Sequence, residues 1–160
     1  MTNKETHLAR LATYADVILR GGMVEQVGAI CLRTGLQGST EVLLVTTRET
    51  GRWTIPKGWP IKGLKSHEAA EQEAWEEAGV KGKARKRPLG FFTYLKTLDN
   101  GTKVPALVEV HLVKVKKAFT EFPESKERRV EWLSPVAAAV RVQEPELKGL
   151  LTSLMRRKAA

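Results

Sequence analysis

The side chains best suited to chemistry lie between Ala69 and Val80, where glutamates are set among alanines. If this stretch is helical, each residue advances by roughly 100° around the axis. Glu73, Glu76 and Glu77, spaced i, i+3, i+4, then fall on one face, beside a stripe formed by Ala70, Ala74 and Ala78. The small residues let the helix lie close against a sheet. Three like charges repel and destabilise an isolated helix by roughly a few tenths of a kcal/mol per pair. A divalent cation would reverse the sign of that cost. Carboxylate oxygens suit Mg²⁺, with Mn²⁺ as a substitute, and both ions keep positions for water and phosphate oxygens. The plainer alternative is a solvated acidic face.

Cations and glycines stand immediately before this segment: Lys57, Gly58, Lys62, Gly63 and Lys65. A phosphate site needs backbone N–H groups, and glycine where chain and ligand approach closely. Together the loop and the carboxylates could hold a polyphosphate through its metal and its own charges. A lysine-rich surface turn is the competing interpretation.

The surrounding elements must bring these groups together. Residues 1–24 read as an extended lead-in, broken at Gly21-Gly22. Two β-rich runs, Gln26–Arg33 and Glu41–Arg48, flank a turn-forming stretch and resemble a hairpin. Arg52–Lys57 is short and extended, and two prolines in 56–63 forbid a regular element there. Ser66 is the expected N-cap of the acidic helix, Glu68 suits its positive end, and Gly79 its left-handed stop. Pro88–Lys96 and Lys103–Lys117 form a hairpin around Asp99-Asn-Gly101, with visible alternation in 108–115. A charged loop over 121–129 and a short strand, Val130–Leu133, follow. A helix over 136–140 is capped by Ser134, with Pro135 at its first position, and a closing helix spans Pro145–Arg157. The order predicts one α+β (mixed) domain over 1–160.

Residues 58–80 resemble the Nudix box, G-x5-E-x7-R-E-U-x-E-E-x-G-U, where U is a bulky aliphatic residue. Gly58, Glu73, Glu76, Glu77, Gly79 and Val80 stand in register. Leu64 replaces the first Glu and Gln72 the Arg. The resemblance implies a Nudix-like α/β/α sandwich with a mixed central sheet. In the family the Arg helps to orient the catalytic carboxylates, and the first Glu supports the same cluster. Here both charges are gone together, and Gln72 could still donate an amide hydrogen bond to a neighbouring carboxylate.

Outside the box the chain resembles the diphosphoinositol polyphosphate and diadenosine polyphosphate phosphohydrolase branch. The likeness runs through Glu41–Arg48, Gly51–Gly58 and Arg128–Trp132. It implies hydrolysis of a phosphoanhydride bond with one to three Mg²⁺ ions on Glu73, Glu76 and Glu77. Glu77 is then the general base, with Glu76 as the alternative. Arg48, the Lys57-Gly58 backbone and Arg129 are the implied phosphate contacts. Gln26 stands where the branch has a basic residue, which weakens the case for inositol pyrophosphates. Glu121 or Glu124 could add a carboxylate, and Trp53, Trp59 and Trp132 are candidates for stacking on a base.

Composition sets the outer bounds. With 160 residues, 42% of them hydrophobic and 28% charged, the chain can bury a sizeable core and is not a disordered polymer. Its one cysteine, Cys31, sits in an apolar run, reads as a core residue and excludes an internal disulfide. No signal peptide and no apolar stretch near 18 residues is evident, so a cytoplasmic setting without a membrane partner is expected. A net charge of +9 favours polyanionic partners. The basic run Lys83–Arg87 has no nucleic-acid motif beside it and reads as a solvated stretch, leaving a small-molecule polyphosphate as the expected partner. His7, His67 and His111 are too widely spaced to suggest a metal site. Competing functions are a catalytically weak ligand-binding module and a nucleotide-housekeeping pyrophosphatase.

Overall fold

Strict alternation on two neighbouring strands explains the architecture. In β1 (Val24–Thr34), Val27, Ala29 and Cys31 face one way and Ile30 the other; in β2 (Thr40–Thr46), Leu43 and Val45 oppose Val42 and Leu44. All of these are buried, so apolar material must cover both sides of the sheet. The computed structural model describes residues 23–159, with side chains through residue 155. The expected lead-in lies outside the described residues up to residue 22, as does His7, and Val24 already opens β1.

Among the described residues, eight strands form one mixed sheet. Besides β1 and β2 these are β3 (Trp53–Thr54), β4 (Lys57–Gly58), β5 (Val80–Ala84), β6 (Gly90–Thr97), β7 (Lys103–Ala118) and β8 (Val130–Leu133). The central path runs β3-β2-β1-β7-β5, with β4 on β1, β6 on β7 and β8 on β2. β1 and β7 pair in parallel from Val24↔Ala106 to Leu32↔Lys114, and the other pairings are antiparallel.

The acidic helix, α1 (Ser66–Ala78), covers one face, laying Ala69, Ala70, Ala74 and Ala78 on Val27, Ala29, Cys31 and Leu43. The opposite face is covered by α2 (Pro135–Arg141) and α3 (Pro145–Ala159) through Ala138, Val142, Leu147 and Leu151. The result is the expected α/β/α sandwich. No helix among the described residues is long and apolar enough to cross a membrane.

Several local expectations shift. Lys65, not Ser66, is the N-cap of α1; Glu68 reaches back to accept the Lys65 N–H at 2.8 Å, which fixes the first turn one residue earlier. Gly79 does stop the helix in the left-handed region, with φ 69°. Ser134 accepts the Ala137 N–H as expected. Lys57-Gly58 pairs with Val27 and Gly28, so the loop after Pro56 contains a bridge that its prolines were expected to forbid. Both prolines flank the bridge and neither supplies its N–H groups. β5 was not anticipated, because its lysines hide the short apolar frame of Val80 and Ala84. On the polar side of β7 one residue is buried: His111 is 1% exposed and sits between the Glu109 carboxylate and the Arg85 carbonyl.

Candidate active site

One open cleft of roughly 1040 Å³ is lined, among the described residues, by Glu49, Glu73, Glu76, Glu77, Glu124 and Glu144 and by the cations Arg48, Arg52, Lys57, Lys96, Lys103 and Arg128. The i, i+3, i+4 spacing on α1 therefore delivers its three carboxylates to a single cavity. Glu73 and Glu77 are buried, while Glu76 is half-buried. Gly58 is needed for Glu73: a Cβ there would lie 2.3 Å from the carboxyl carbon. The glycine of the box thus makes room for a carboxylate. The Lys57 amide, expected to face phosphate, donates to Glu77 Oε1 at 3.2 Å. Gln72 Nε2 donates to Glu76 Oε1 at 2.8 Å, the amide bond that its sequence position suggested.

The late loop completes the acidic wall. Glu124, rather than Glu121, lines the cleft. Its backbone N–H donates to the Glu76 carbonyl, and Phe119 N–H donates to the Gly79 carbonyl, so the loop is tied to the end of α1. Arg128 joins the wall at three points: Nε to Glu124 Oε1 at 2.9 Å, Nη1 to the Thr46 carbonyl at 2.9 Å, and Nη2 to Glu77 Oε2 at 3.1 Å. Arg129, the sequence-based candidate, is outside this cleft and lies over the face of Trp53 at 5.6 Å. Two adjacent arginines before a strand point to opposite sides, and the sequence does not tell which faces inward.

The electrostatics follow from burial. Burial, then the neighbouring charges of Glu77, Glu76 and Glu124, push the Glu73 carboxyl up to about 8. Burial also raises Glu77, against the pull of Lys57 and Arg128. Among the cations of the cleft, burial lowers the Lys57 ammonium to about 8, with Glu77 opposing that shift. Its Nζ lies 5.1 Å from the centre of the Tyr94 ring, and the Tyr94 hydroxyl donates to Gln26. Arg48 is the exposed member, 61% accessible, with Glu127 at 3.5 Å. Lys96 packs over Trp59, so Trp59 is the one of the three candidate tryptophans that borders the cleft; Trp53 and Trp132 lie under arginines elsewhere. Gln26, Arg52, Tyr94, Lys96 and Arg128 were missed or passed over because folding, not spacing, gathers them.

Carboxylates such as Glu73, Glu76, Glu77 and Glu124 are donors suited to a hard divalent cation. Their mutual repulsion, recorded in the raised Glu73 carboxyl, is the kind that such an ion relieves. As placed, however, both Glu77 oxygens, Glu76 Oε1 and Glu124 Oε1 accept from protein donors. Among the described residues, no three carboxylate, imidazole or thiol groups converge closely enough to hold a metal.

Residues 24–154 match the NUDIX domain, and the chain therefore belongs to the Nudix hydrolase family. It is 33% identical over 97 residues to Nudix hydrolase 12, mitochondrial, of Arabidopsis thaliana, a match spanning 59% of this chain and 48% of that protein. The chain thus spans about half the length of this curated relative. Among solved structures, a Caenorhabditis elegans Ap4A hydrolase in a binary complex superposes with a TM-score of 0.62 at 23% identity, covering 86% of this chain and 98% of that one. A NUDIX hydrolase from Nitrosomonas europaea gives 0.63 at 17% identity, over 85% and 90%. At such identities these structures establish the fold.

Proposed function

We propose that the protein is a divalent-metal-dependent pyrophosphohydrolase that cleaves a phosphoanhydride bond in a polyphosphorylated small molecule. Diadenosine polyphosphates are the first candidates, with diphosphoinositol polyphosphates and nucleoside diphosphate derivatives as others. The observation that carries this reading is the cleft itself: Glu73, Glu76, Glu77 and Glu124 line the same cavity as Arg48, Arg52, Lys57 and Lys96. A polyphosphate bound there would meet cations and metal-binding oxygens together.

Glu73, Glu76, Glu77 and Glu124 line the cleft and would hold Mg²⁺ or Mn²⁺ only on drawing closer together than they stand. The ion's chemistry there is to neutralise phosphate charge and to acidify water. Arg48, Arg52 and Lys96 bind and orient the phosphates. Lys57, in contact with Tyr94, supplies a half-buried cation whose charge the substrate would help to retain. Both oxygens of Glu77 accept protein hydrogen bonds, from Lys57 N–H and Arg128, so its orientation is fixed. Glu76 has only Oε1 engaged, by Gln72, and the proton-accepting role falls more naturally to it than to Glu77. The setting proposed is the cytoplasm, consistent with a free, buried Cys31.

Glu76→Gln and Glu77→Gln are each expected to cut turnover by about 10²-fold or more with the fold retained. The assay is chromatographic separation of the phosphorylated products formed from diadenosine tetraphosphate, inositol pyrophosphate and a nucleoside triphosphate panel, with Mg²⁺ and with Mn²⁺. Full metal-dependent activity in both variants would exclude this site. The dispersed carboxylate partners favour one second reading, a module that binds a phosphorylated ligand without turnover. Tight binding by a wild-type protein that fails every substrate in the panel would establish it.

A further inference from the structure

Arg128 lies in the carboxylate wall, yet little of it is available to a ligand. Its side chain is 8% exposed, and each of its three nitrogens is committed: Nε and Nη2 to Glu124, Nη2 also to Glu77, and Nη1 to the Thr46 carbonyl. These partners belong to three separate pieces of chain, the late loop, α1 and β2. The segment is fixed from behind as well. Arg129 N–H donates to Thr46 Oγ1 at 2.9 Å, and Thr46 N–H donates to the Arg129 carbonyl at 3.1 Å. A planar guanidinium anchored at a neutral carbonyl can set the direction of two carboxylates at once, which a lysine ammonium cannot do.

Position 72 sharpens the point. It is where the box resemblance places an arginine, and Gln72 there reaches only Glu76. Neither Glu77 nor Glu124 receives a guanidinium from α1. We propose that Arg128 is the positioning residue of this site: delivered from 51 residues beyond Glu77, it takes over the orienting task that residue 72 cannot perform. It acts through Glu77 and Glu124 and does not itself contact substrate, unlike the exposed Arg48. This inference rests on the functional reading above.

The test combines Arg128→Gln, Arg128→Lys and the double variant Arg128→Gln/Gln72→Arg. Two quantities are measured: steady-state kcat and KM on the substrate that the wild type turns over, and Mn²⁺ binding to the substrate-free protein by electron paramagnetic resonance. Loss of an orienting residue should lower kcat by about 10- to 100-fold and weaken Mn²⁺ binding by a similar factor. KM should stay within about threefold, since ground-state contacts are kept. The double variant should recover at least about tenfold in kcat, and Arg128→Lys should behave like Arg128→Gln.

A rise in KM with kcat preserved would make Arg128 a phosphate contact and overturn the proposal. So would tighter Mn²⁺ binding, which identifies a mere competing cation, or a folded double variant in which Gln72→Arg restores no turnover. If Arg128→Gln does not fold, Arg128→Lys, which retains charge and reach to Thr46, gives the same readouts. A wild type inactive on every substrate would defeat the functional reading, while the Mn²⁺ measurements would still decide the role of Arg128.

Discussion

Glu73 and Lys57 set opposite limbs of a pH dependence. Glu73 is raised by burial and by its acidic neighbours to about 8, so between about 4.5 and 8 the folded protein keeps a proton that the unfolded chain has released. Stability of the metal-free protein should therefore fall as pH rises towards 8. Lys57 is lowered by burial to about 8 from 10.5, so above pH 8 the unfolded chain binds the extra proton and stability should rise again. Urea unfolding across this range is expected to show a minimum near pH 8. Glu73→Gln should flatten the lower limb and Lys57→Met the upper one. An unchanged slope below pH 8 in Glu73→Gln would mean that this carboxyl ionises freely in the fold. Residue types at this scale were legible from spacing alone for Glu73, Glu76 and Glu77. Their perturbation was not, because burial depends on what packs above them.

Helix α1 and its stop show what elements add. The alanine stripe, the i, i+3, i+4 glutamates and the glycine terminator were all readable, because each follows from the helical period or from backbone stereochemistry. Gly79 has a second duty that the sequence did not reveal. A Cβ at this left-handed position would lie 2.4 Å from Phe122 Cδ1 and 2.6 Å from the Phe119 carbonyl oxygen. That contact seats the loop carrying Glu124. Gly79→Ala should destabilise the protein by about 1–3 kcal/mol in urea unfolding, from strained backbone and steric conflict together. It should also lower activity more than a surface substitution of equal stability cost. Loss of neither stability nor turnover would show that the loop adapts without effect. The cap of α1 and strand β5 escaped sequence reading for a related reason: Glu68 back-bonding and pairing with β7 outweigh local residue preference.

Across the whole molecule, the sheet serves to bring distant groups face to face. β1 sits between β2 and β7, and both of its faces are covered, which packs α1 against one side. β4 pairs with the same strand and places Gly58 beneath Glu73. The loop after β7 then returns Glu124 and Arg128 to α1. The two arginines before β8 illustrate where sequence reading ends. Arg128 and Arg129 are chemically identical, and only the pairing of β8 with β2 decides that Arg128 turns into the cleft. The net charge of +9 likewise gave no hint that cations and glutamates gather in one cleft.

The most direct test is to locate the metal. Crystals grown with Mn²⁺ and a non-hydrolysable diadenosine polyphosphate should give anomalous peaks bounded by Glu73, Glu76, Glu77 and Glu124. The phosphates should lie against those peaks and within reach of Arg48, Arg52 and Lys96. Peaks elsewhere, or phosphates bound with no Mn²⁺ at these carboxylates, would contradict the account.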